Sequence, residues 1–308
     1  MSQKVFVVGS INMDLVSYVD KTPKKGETVS GLSFMINTGG KGANQAVASA
    51  KQLVETRFVG AIGDDDFSSL LKKSLVDNLV DVSSLVRIDN QTSGTAMIIV
   101  SEGDNRIILN QGANGLLDEK LVESSLASGN IGDILLTQNE INPNVVYKSI
   151  RLAKEKGMIT IHNPAPAHMI PLEIRPSIDY LILNETEAEV IFEIDMSKTT
   201  DYKELTKVFH KHHFSNVILT LGNQGVVAFF DDKIVKQDAK KIPIVDTTAA
   251  GDTFVGVFAA YLLIEHNRVT ALEKANVAAG LTCTKKGAMM SIPSKEELNH
   301  FIENNYQV

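Results

Sequence analysis

The sequence predicts an α/β fold in which helices cover both faces of a mostly parallel sheet and a small β-sheet lid stands apart. Short, continuous apolar runs alternate along the chain with longer helical patterns, which is typical of strands buried on both faces. Several of these runs end in polar residues, as expected at the carboxyl edge of a sheet that binds ligands. Two segments of short β-like pieces interrupt the alternation and predict the lid.

The composition limits the kinds of protein that the chain can form. A chain of 308 residues suits one large domain, and we expect 1–308 to be a single α/β domain. The formal net charge of -7 argues against a nucleic-acid partner. The chain has no apolar run of about 18 residues, no signal-peptide pattern and only one cysteine, Cys283. We therefore expect a cytoplasmic protein with no membrane partner.

The first predicted strand, Val5 to Val8, is followed by the polar segment from Ser10 to Asp14. Polar residues directly after a buried parallel strand point to the ligand-binding edge of the sheet. Asn12 and Asp14 are therefore candidate ligand contacts. A plain turn built on Asn and Asp explains the same residues equally well.

Two segments, at about 14–38 and 92–110, predict the lid. The second reads as a hairpin with a turn at 102–105. Strand alternation places Ala96 and Ile98 on one face. Since a small sheet with two apolar faces needs cover on both, we expect a ligand under one face and a second subunit against the other. An edge hairpin of the main sheet is the alternative.

Between the two lid segments, residues 39–46 read Gly-Gly-Lys-Gly-Ala-Asn-Gln-Ala and open a helix that runs to about Leu53. This is not a Walker A loop, because Lys41 is followed by Gly42 where that loop has Ser or Thr. Glycines allow backbone to come close to a bound molecule. Lys41 and Asn44 can donate hydrogen bonds to a polyol or a phosphate.

The middle of the chain alternates strands and helices. We expect strands at 57–61, 133–137, 158–161, 180–183 and 217–220, helices at 144–156, 202–212 and 270–283, and a hairpin over 226–236. Polar residues follow three of these strands, at 138–140, 184–187 and 221–225. Because parallel strands end at one edge of the sheet, these residues are candidates for the same site.

The segment from Asp246 to Phe254 reads Asp-Thr-Thr-Ala-Ala-Gly-Asp-Thr-Phe, between a strand-like run at 242–245 and a long apolar helix. The first turn of a helix has free N–H groups and the positive end of the helix dipole. The small residues 249–251 leave those groups open to an anion. Asp252 adds a carboxylate that can take a proton from a hydroxyl, a layout that fits phosphoryl transfer. An ordinary capped helix is the alternative.

Six segments, in this order, resemble the ribokinase family of sugar kinases, the phosphofructokinase-B type. They are Ser10 to Asp14, Gly39 to Asn44, Asn163 to Ala167, Asn184 to Glu187, Thr220 to Gly222 and Asp246 to Phe254. The resemblance extends from about Val5 to Pro293. It implies an α/β domain with a β lid and a homodimer whose lids interlock.

The resemblance also implies roles for individual residues at the sugar end of the site. Asp252 is implied as the catalytic base, and Ala249, Ala250 and Gly251 as an anion hole for the transferring phosphoryl group. The implied sugar contacts are Asn12, Asp14, Gly40, Lys41, Asn44, Glu140 and Asp252, with Ala96 and Ile98 of the lid over the apolar face of the sugar.

An ATP site and two cation sites follow from the same resemblance. The implied ATP contacts are Asn184, Thr220, Leu221, Gly222, Asn223, Gln224, Gly225, Gly251 and Asn276. Asn276 departs from the family pattern, since His is also common there. Glu187 is implied to act on Mg²⁺ through water. A K⁺ site is implied at Asp246 and Thr248, with carbonyl groups around Thr282, Lys285, Gly287 and Ser291, where the ion orders the anion-hole turn without touching substrate.

The activity that the resemblance implies is transfer of the γ-phosphoryl group of ATP to the 5-hydroxyl of D-ribose. Kinases for 2-deoxyribose, a nucleoside or a hexose are alternatives on the same fold. A non-catalytic sugar sensor is the alternative from another class, although a pure binder has no need of Asp252. A dinucleotide-dependent oxidoreductase is not supported, because no G-x-G-x-x-G sequence follows the first strand.

Overall fold

The computed structural model describes residues 3–101, 104–198, 201–231 and 233–305. Its strands are β1 Val5–Val8, β2 Asn12–Val19, β3 Gly31–Gly39, β4 Thr56–Ile62, β5 Asp81–Arg87, β6 Gly94–Ser101, β7 Asp104–Asn110, β8 Ile134–Gln138, β9 Ile159–Asn163, β10 Tyr180–Asn184, β11 Asn216–Thr220, β12 Val226–Phe230 and β13 Lys233–Gln237. Its α-helices are α1 Lys41–Ala50, α2 Phe67–Asp77, α3 Glu119–Leu126, α4 Pro143–Glu155, α5 Glu185–Phe192, α6 Tyr202–Lys211, α7 Ala250–Glu265, α8 Arg268–Thr282 and α9 Lys295–Asn305.

The larger sheet has the strand order β13-β12-β11-β10-β9-β8-β1-β4-β5. Neighbours from β11 to β5 pair in parallel, whereas β12 and β13 are antiparallel additions at one edge. The predicted, mostly parallel sheet is therefore confirmed. Its parallel strands all end at one edge, where the polar segments after β1, β8, β10 and β11 lie.

Helices cover both faces of this sheet. Val5 and Val7 of β1 pack into a core with α1, α2, α7, α8 and α9, while Phe6 and Val8 pack into a second core with α3 to α6. All four side chains are fully buried, as the alternation of a strand between two helical layers requires. The predicted double cover is confirmed.

The smaller sheet is separate from the larger one and has the order β3-β2-β6-β7. Its outer pairs are antiparallel and its central pair, β2 with β6, is parallel. The alternative of a hairpin on the main sheet is therefore wrong. One row across its four strands is Asn37, Asp14, Ala96 and Leu109, and the next row, on the opposite face, is Ile36, Leu15, Met97 and Ile108. Residues 102 and 103 of the predicted turn lie outside the described residues.

Four local features differ from the sequence analysis. The predicted run at 242–245 is not a strand, because the N–H groups of Val245 and Asp246 donate to the carbonyl of Cys283 at the end of α8. The edge strand β5, the short helix α3 and the helix α9 were not predicted. No helix in the described ranges is long and apolar enough to span a membrane.

Candidate active site

The first turns of α1 and α7 meet at the carboxyl edge of the main sheet, with Asp252 between them. Asn44 donates from Nδ2 to Asp252 Oδ2 at 2.9 Å, and Gln45 donates from Nε2 to Asp252 Oδ1 at 3.2 Å. Asp252 is 8% exposed, so its carboxylate is nearly buried. Both oxygens of the predicted base are thus held by amide donors from α1.

Glu140, just after β8, joins three segments of the site. Its Oε2 accepts hydrogen bonds from Ser10 Oγ at 2.6 Å, Asn12 Nδ2 at 3.4 Å and the backbone N–H of Lys41 at 3.1 Å. Asn12 is fixed from its other side by Asn114, whose Nδ2 donates to Asn12 Oδ1 at 2.8 Å. The predicted sugar contacts Asn12, Lys41 and Glu140 are therefore neighbours in one network.

Asp14 is the third residue of β2 and lies beside Ala96 of β6. A side chain at Gly39 would begin 2.2 Å from Asp14 Oδ2, so only glycine leaves room for this carboxylate. Burial, together with the negative charges of Glu140 and Asp252, raises the pKa of Asp14 to about 7, although the charge of Lys41 acts in the opposite direction. The pKa of Asp14 therefore lies near neutral pH.

Lys41 supplies the positive charge of the site. Burial lowers the pKa of its ammonium group, but the carboxylates of Asp252, Glu140, Glu187 and Asp14 together raise it above the ordinary value. A cation surrounded by four carboxylates stays charged across the physiological pH range. It can therefore hold a sugar hydroxyl or a phosphate oxygen by its charge.

The turn before α7 leaves open space for an anion. Ala249 has a left-handed backbone with φ 61° and caps the helix without a side-chain hydrogen bond. A side chain at Gly251 would meet no atom within 4 Å. Among the described residues, no hydrogen bond uses the backbone N–H of Gly251 or Asp252, whereas that of Ala250 donates to the carbonyl of Thr247 at 3.2 Å. Two of the first-turn N–H groups are thus free to bind an anion.

The predicted nucleotide contacts lie at the ends of neighbouring strands and around one turn. Asn184 and Thr220 are directly paired between β10 and β11, and a 3-10 turn covers Gly222–Gln224. A side chain at Gly225 would begin 2.1 Å from the carbonyl oxygen of Gln237. Asn276 of α8 donates to the carbonyl of Asp238 at 2.9 Å. Gly225 and Asn276 thus border the same segment at the end of β13.

Asp246 and Thr248 of the predicted K⁺ site form one turn, and this turn is hydrogen-bonded to Gly287. Asp246 Oδ1 accepts from the N–H and hydroxyl of Thr248 at 2.9 and 2.7 Å, and Oδ2 accepts from the N–H of Gly287 at 3.0 Å. Burial raises the pKa of Asp246, but the hydrogen bonds outweigh it and the pKa is lowered overall. An ionised carboxylate among hydroxyl and carbonyl oxygens fits a hard monovalent cation.

Three other members of the predicted K⁺ set have side chains engaged elsewhere. The hydroxyl of Thr282 bonds to Thr253 inside the protein, the ammonium of Lys285 pairs with Glu297 at 2.5 Å, and the hydroxyl of Ser291 donates to Ala288. These residues can contribute only backbone carbonyl groups to an ion.

Glu187, the predicted Mg²⁺ residue, forms a capping box with Asn184 at the start of α5. Its Oε2 accepts from the N–H of Asn184 at 2.9 Å. Burial raises the pKa of Glu187. Among the described residues, no three His, Cys, Asp or Glu side chains come together as a metal-binding group. A single carboxylate fits an ion that keeps most of its water ligands.

Comparison with known proteins decides the family. Residues 2–295 match the pfkB family of carbohydrate kinases. This chain belongs to the pfkB carbohydrate kinase family. The resemblance drawn from the six sequence segments is therefore confirmed.

Relatives within the pfkB family match almost the whole chain. A ribokinase of Haemophilus influenzae is 36% identical over 304 residues, covering 98% of this chain and 99% of the relative. A deoxyribokinase of Salmonella typhi is 30% identical, with the same coverage of both chains. The structure of Arabidopsis thaliana ribokinase complexed with ribose and ATP has a TM-score of 0.89 and 30% identity, covering 98% of this chain and 99% of that one.

The sequence analysis assigned no individual role to several polar residues around Asp252 and Glu140. Ser10, Gln45, Asn114, Gln138 and Asn163 are buried and hydrogen-bond to predicted residues or to one another. Two of them, Ser10 and Asn163, lie inside the segments that carried the resemblance, and Gln45 directly follows one of those segments. Their partners are distant in sequence, so no local pattern distinguishes them from ordinary turn or helix residues.

Proposed function

We propose that this protein transfers the γ-phosphoryl group of ATP to the 5-hydroxyl of D-ribose, giving ribose 5-phosphate and ADP. The observation that carries the proposal is the position of Asp252: both its oxygens are held by amides of α1, and it adjoins a turn open to an anion. Relatives named ribokinase, similar over nearly their full length, support ribose as the sugar.

In the proposed reaction Asp252 takes the proton of the sugar hydroxyl. The hydroxyl oxygen then bonds to the γ-phosphorus, the bond from that phosphorus to the β–γ bridging oxygen breaks, and ADP leaves. The free N–H groups of Gly251 and Asp252 donate to the phosphoryl oxygens, and Ala249 and Ala250 keep side chains out of the way. The N–H of Ala250 joins them when its bond to Thr247 opens.

Sugar recognition is assigned to the polar residues around Glu140. Asp14 and Glu140 accept from ring hydroxyls, Asn12, Lys41 and Asn44 donate to them, and the backbone of Gly40 lies against the sugar. The Oδ1 of Asn44 is buried and has no partner in the described part of the chain, so a sugar hydroxyl can fill that vacancy. A buried group left unpaired costs about 1–3 kcal/mol, which favours a polyol over an apolar ligand.

The small sheet is assigned as the lid of the site. Ala96 and Ile98 share the face of Asp14 in the strand register, and we assign them to the apolar face of the sugar. The domain arrangement that we propose is one α/β domain over 1–308 with lid segments at about 14–38 and 92–110.

ATP is assigned to the cleft formed by the ends of β10 and β11 and by α8. The proposed contacts are Asn184, Thr220, Leu221, Gly222, Asn223, Gln224, Gly225, Gly251 and Asn276. Glu187 would hold Mg²⁺ through water, and Asp246, Thr248 and the carbonyl groups of Thr282, Lys285, Gly287 and Ser291 would hold K⁺. Mg²⁺ supplies charge neutralisation of the phosphates, and K⁺ supplies positive charge beside the anion hole.

A cytoplasmic homodimer is the proposed assembly. The row Ile36, Leu15, Met97 and Ile108 crosses the outer face of the small sheet, and three of its four side chains are at least half exposed. A contiguous exposed apolar face is typical of a protein–protein interface. The same face on a second subunit satisfies the symmetry of a dimer.

The test is ADP release with Mg-ATP over D-ribose, 2-deoxyribose, fructose and adenosine, each with K⁺ or with a bulky organic cation. We expect the highest kcat/KM with ribose. Preference for 2-deoxyribose, in line with the deoxyribokinase relative, would keep the chemistry and change the sugar assignment. Tight ribose binding without turnover of any acceptor would favour a sugar sensor and contradict the proposed reaction.

A further inference from the structure

Gln45 forms a buried amide network behind Asp252. It is fully buried, and its Nε2 lies 3.2 Å from Asp252 Oδ1 and 3.1 Å from Asn163 Oδ1. Its Oε1 accepts the Nε2–H of Gln138 at 2.7 Å. Both N–H groups and the carbonyl of the Gln45 amide are therefore engaged, and all three partners come from other elements of the fold.

The polarity of this network is fixed by the backbone. Asn163 donates from Nδ2 to the carbonyl oxygen of Ile182 at 2.9 Å, and a carbonyl oxygen can only accept. The Oδ1 of Asn163 must therefore face Gln45, and Gln45 must donate a hydrogen bond to it from Nε2. The same nitrogen faces Asp252, so Gln45 can offer that carboxylate only a donor.

This arrangement makes the two oxygens of Asp252 unequal. Oδ1 is bound to a side chain with no exposed surface, and its partner is locked by Asn163 and Gln138. Oδ2 is bound to Asn44, whose own Oδ1 is unpartnered in the described chain. The partner of Oδ1 is therefore held on every side, whereas the partner of Oδ2 is held less firmly.

Close packing of α1 on α7 makes the contact possible. A side chain at Gly256, one turn after Asp252, would begin 2.3 Å from the carbonyl oxygen of Gln45. Only glycine allows the two helices to approach this closely. The Gln45 side chain can then reach the carboxylate and the end of β9 at the same time.

We propose that Gln45 is a positioning residue: it holds Oδ1 of Asp252 so that Oδ2 is the oxygen that takes the sugar proton. The inference rests on the proposed kinase function. A carboxylate turns easily about its last side-chain bond, and displacement of about 1 Å at a reacting group can cost about 10²-fold in rate. Loss of the Gln45 donor should therefore lower kcat by about 10- to 100-fold, with little effect on sugar affinity.

The experiment compares Gln45→Met and Gln45→Glu with a matched control, Gln52→Met. Gln52 is equally buried but donates to the backbone carbonyl of Pro293 at 3.1 Å, away from Asp252. For each variant we would measure kcat and KM for ribose, ribose affinity by calorimetry without ATP, and melting temperature. A fourth variant, Gln138→Met, removes the support behind Gln45 without touching Asp252.

The expected result is a fall in kcat for both Gln45 variants, with nearly unchanged ribose affinity and wild-type kcat for Gln52→Met. The Glu variant should be the slower, because it sets a carboxylate against Asp252. Gln138→Met should also lower kcat, but by a smaller factor. If the Gln45 variants do not fold, the kcat of Gln138→Met tests the inference instead. Unchanged kcat in Gln45→Met, or equal losses in Gln45→Met and Gln52→Met, would overturn the inference.

The two proposals fail in different ways in this experiment. Turnover by the wild-type protein tests the kinase function, and its absence with every sugar would contradict that function. The ratio of variant to wild-type kcat tests only the role of Gln45. A parallel loss of ribose affinity and kcat would assign Gln45 to sugar binding and contradict its positioning role.

Discussion

The Nδ2 of Asn44 lies 2.9 Å from Oδ2 of Asp252, although 208 residues separate the two in the chain. Asn44 is in the first turn of α1 and Asp252 is in the first turn of α7. The positive ends of two helix dipoles therefore face the same carboxylate. The glycine-rich segment and the Asp-Thr-Thr-Ala-Ala-Gly-Asp segment form one site because of this convergence.

Replacement of Asp252 by Asn should abolish most turnover and leave ribose bound. Asn has nearly the same shape but cannot accept the hydroxyl proton, and loss of a general base typically costs about 10²–10⁴ in rate. The variant should still fold, because the unpartnered Oδ1 of Asn44 lets that amide turn and accept from the new side chain. The measurement is kcat for ADP release beside ribose affinity by calorimetry.

Residual activity above about a tenth of the wild-type value would contradict the role of Asp252 as base. Lost ribose affinity at an unchanged melting temperature would instead make it chiefly a sugar contact. Asp231→Asn is a suitable control, since Asp231 pairs with Arg268 at the opposite, amino-terminal end of the strands. It should keep wild-type turnover.

Asp14 should make the empty protein less stable as pH rises through neutrality. Its pKa is raised from 3.8 to about 7, first by burial. Between these values the folded state binds more protons than the unfolded state, so the free energy of unfolding falls as pH increases. The full effect is up to about 4 kcal/mol, at about 1.36 kcal/mol for each unit of pKa shift. The Asp14→Asn variant should lose this dependence of unfolding free energy on pH, and it should bind ribose poorly.

Urea unfolding of the wild type and Asp14→Asn from pH 5 to 8 tests this prediction. As pH rises from 5 to 8, the free energy of unfolding of Asp14→Asn should increase relative to that of the wild type. Asp81→Asn is the control: burial raises the pKa of Asp81, but hydrogen bonds to Ser83 and Arg57 lower it overall. The stabilisation that ionised Asp81 gives the folded protein is present above pH 3.8 and is lost only in acid. The difference in unfolding free energy between Asp81→Asn and the wild type should therefore stay constant from pH 5 to 8. Parallel wild-type and Asp14→Asn curves would contradict the titration of Asp14.

Most of the main sheet could be predicted because its strands are short apolar runs between helices. Strand β5 escaped prediction because Asp81, Ser83, Ser84 and Arg87 make it polar, and as an edge strand it needs no apolar cover on both faces. The run at 242–245 is apolar yet is not a strand, because its last N–H donates to the end of α8. An apolar run predicts burial more reliably than it predicts a hydrogen-bonding partner.

The residues of the candidate site likewise include some that could be predicted from the sequence and some that could not. Residues that follow strands or open helices, such as Asp14, Glu140 and Asp252, could be predicted from their place in a local pattern. Gln45 and Asn114 could not, because their importance depends on partners more than 100 residues away. Sequence also did not reveal that the N–H of Ala250 is engaged by Thr247.

K⁺ should stabilise the protein through Asp246. A ligand that binds only the folded state raises the melting temperature, so KCl should give a higher value than tetramethylammonium chloride at equal ionic strength. Asp246→Ala should remove this difference and raise the K⁺ concentration needed for half-maximal turnover. Asp77→Ala removes an exposed carboxylate paired with Lys73. This control variant should keep the difference in melting temperature between the two salts. Equal melting temperatures of the wild type in the two salts would contradict the K⁺ site.

Replacement of Ile108 by Lys should weaken the proposed dimer. Ile108 is 60% exposed and ends the apolar row that begins at Ile36. In a two-fold dimer built on this face, one substitution places a charge in the interface twice. Burying an unpaired ammonium group is costly, so sedimentation should show a shift toward monomer.

Leu172→Lys is the matched control, because Leu172 is 63% exposed but lies outside the small sheet. It should sediment as the wild type does. A monomeric wild type, or equal dissociation by both variants, would contradict the assignment of this face. If Ile108→Lys is monomeric and also has a raised KM for ribose, the partner subunit supports the lid, because Ala96 and Asp14 lie on the opposite face of the same strands. An unchanged KM would mean that the lid closes on the sugar without help from the dimer.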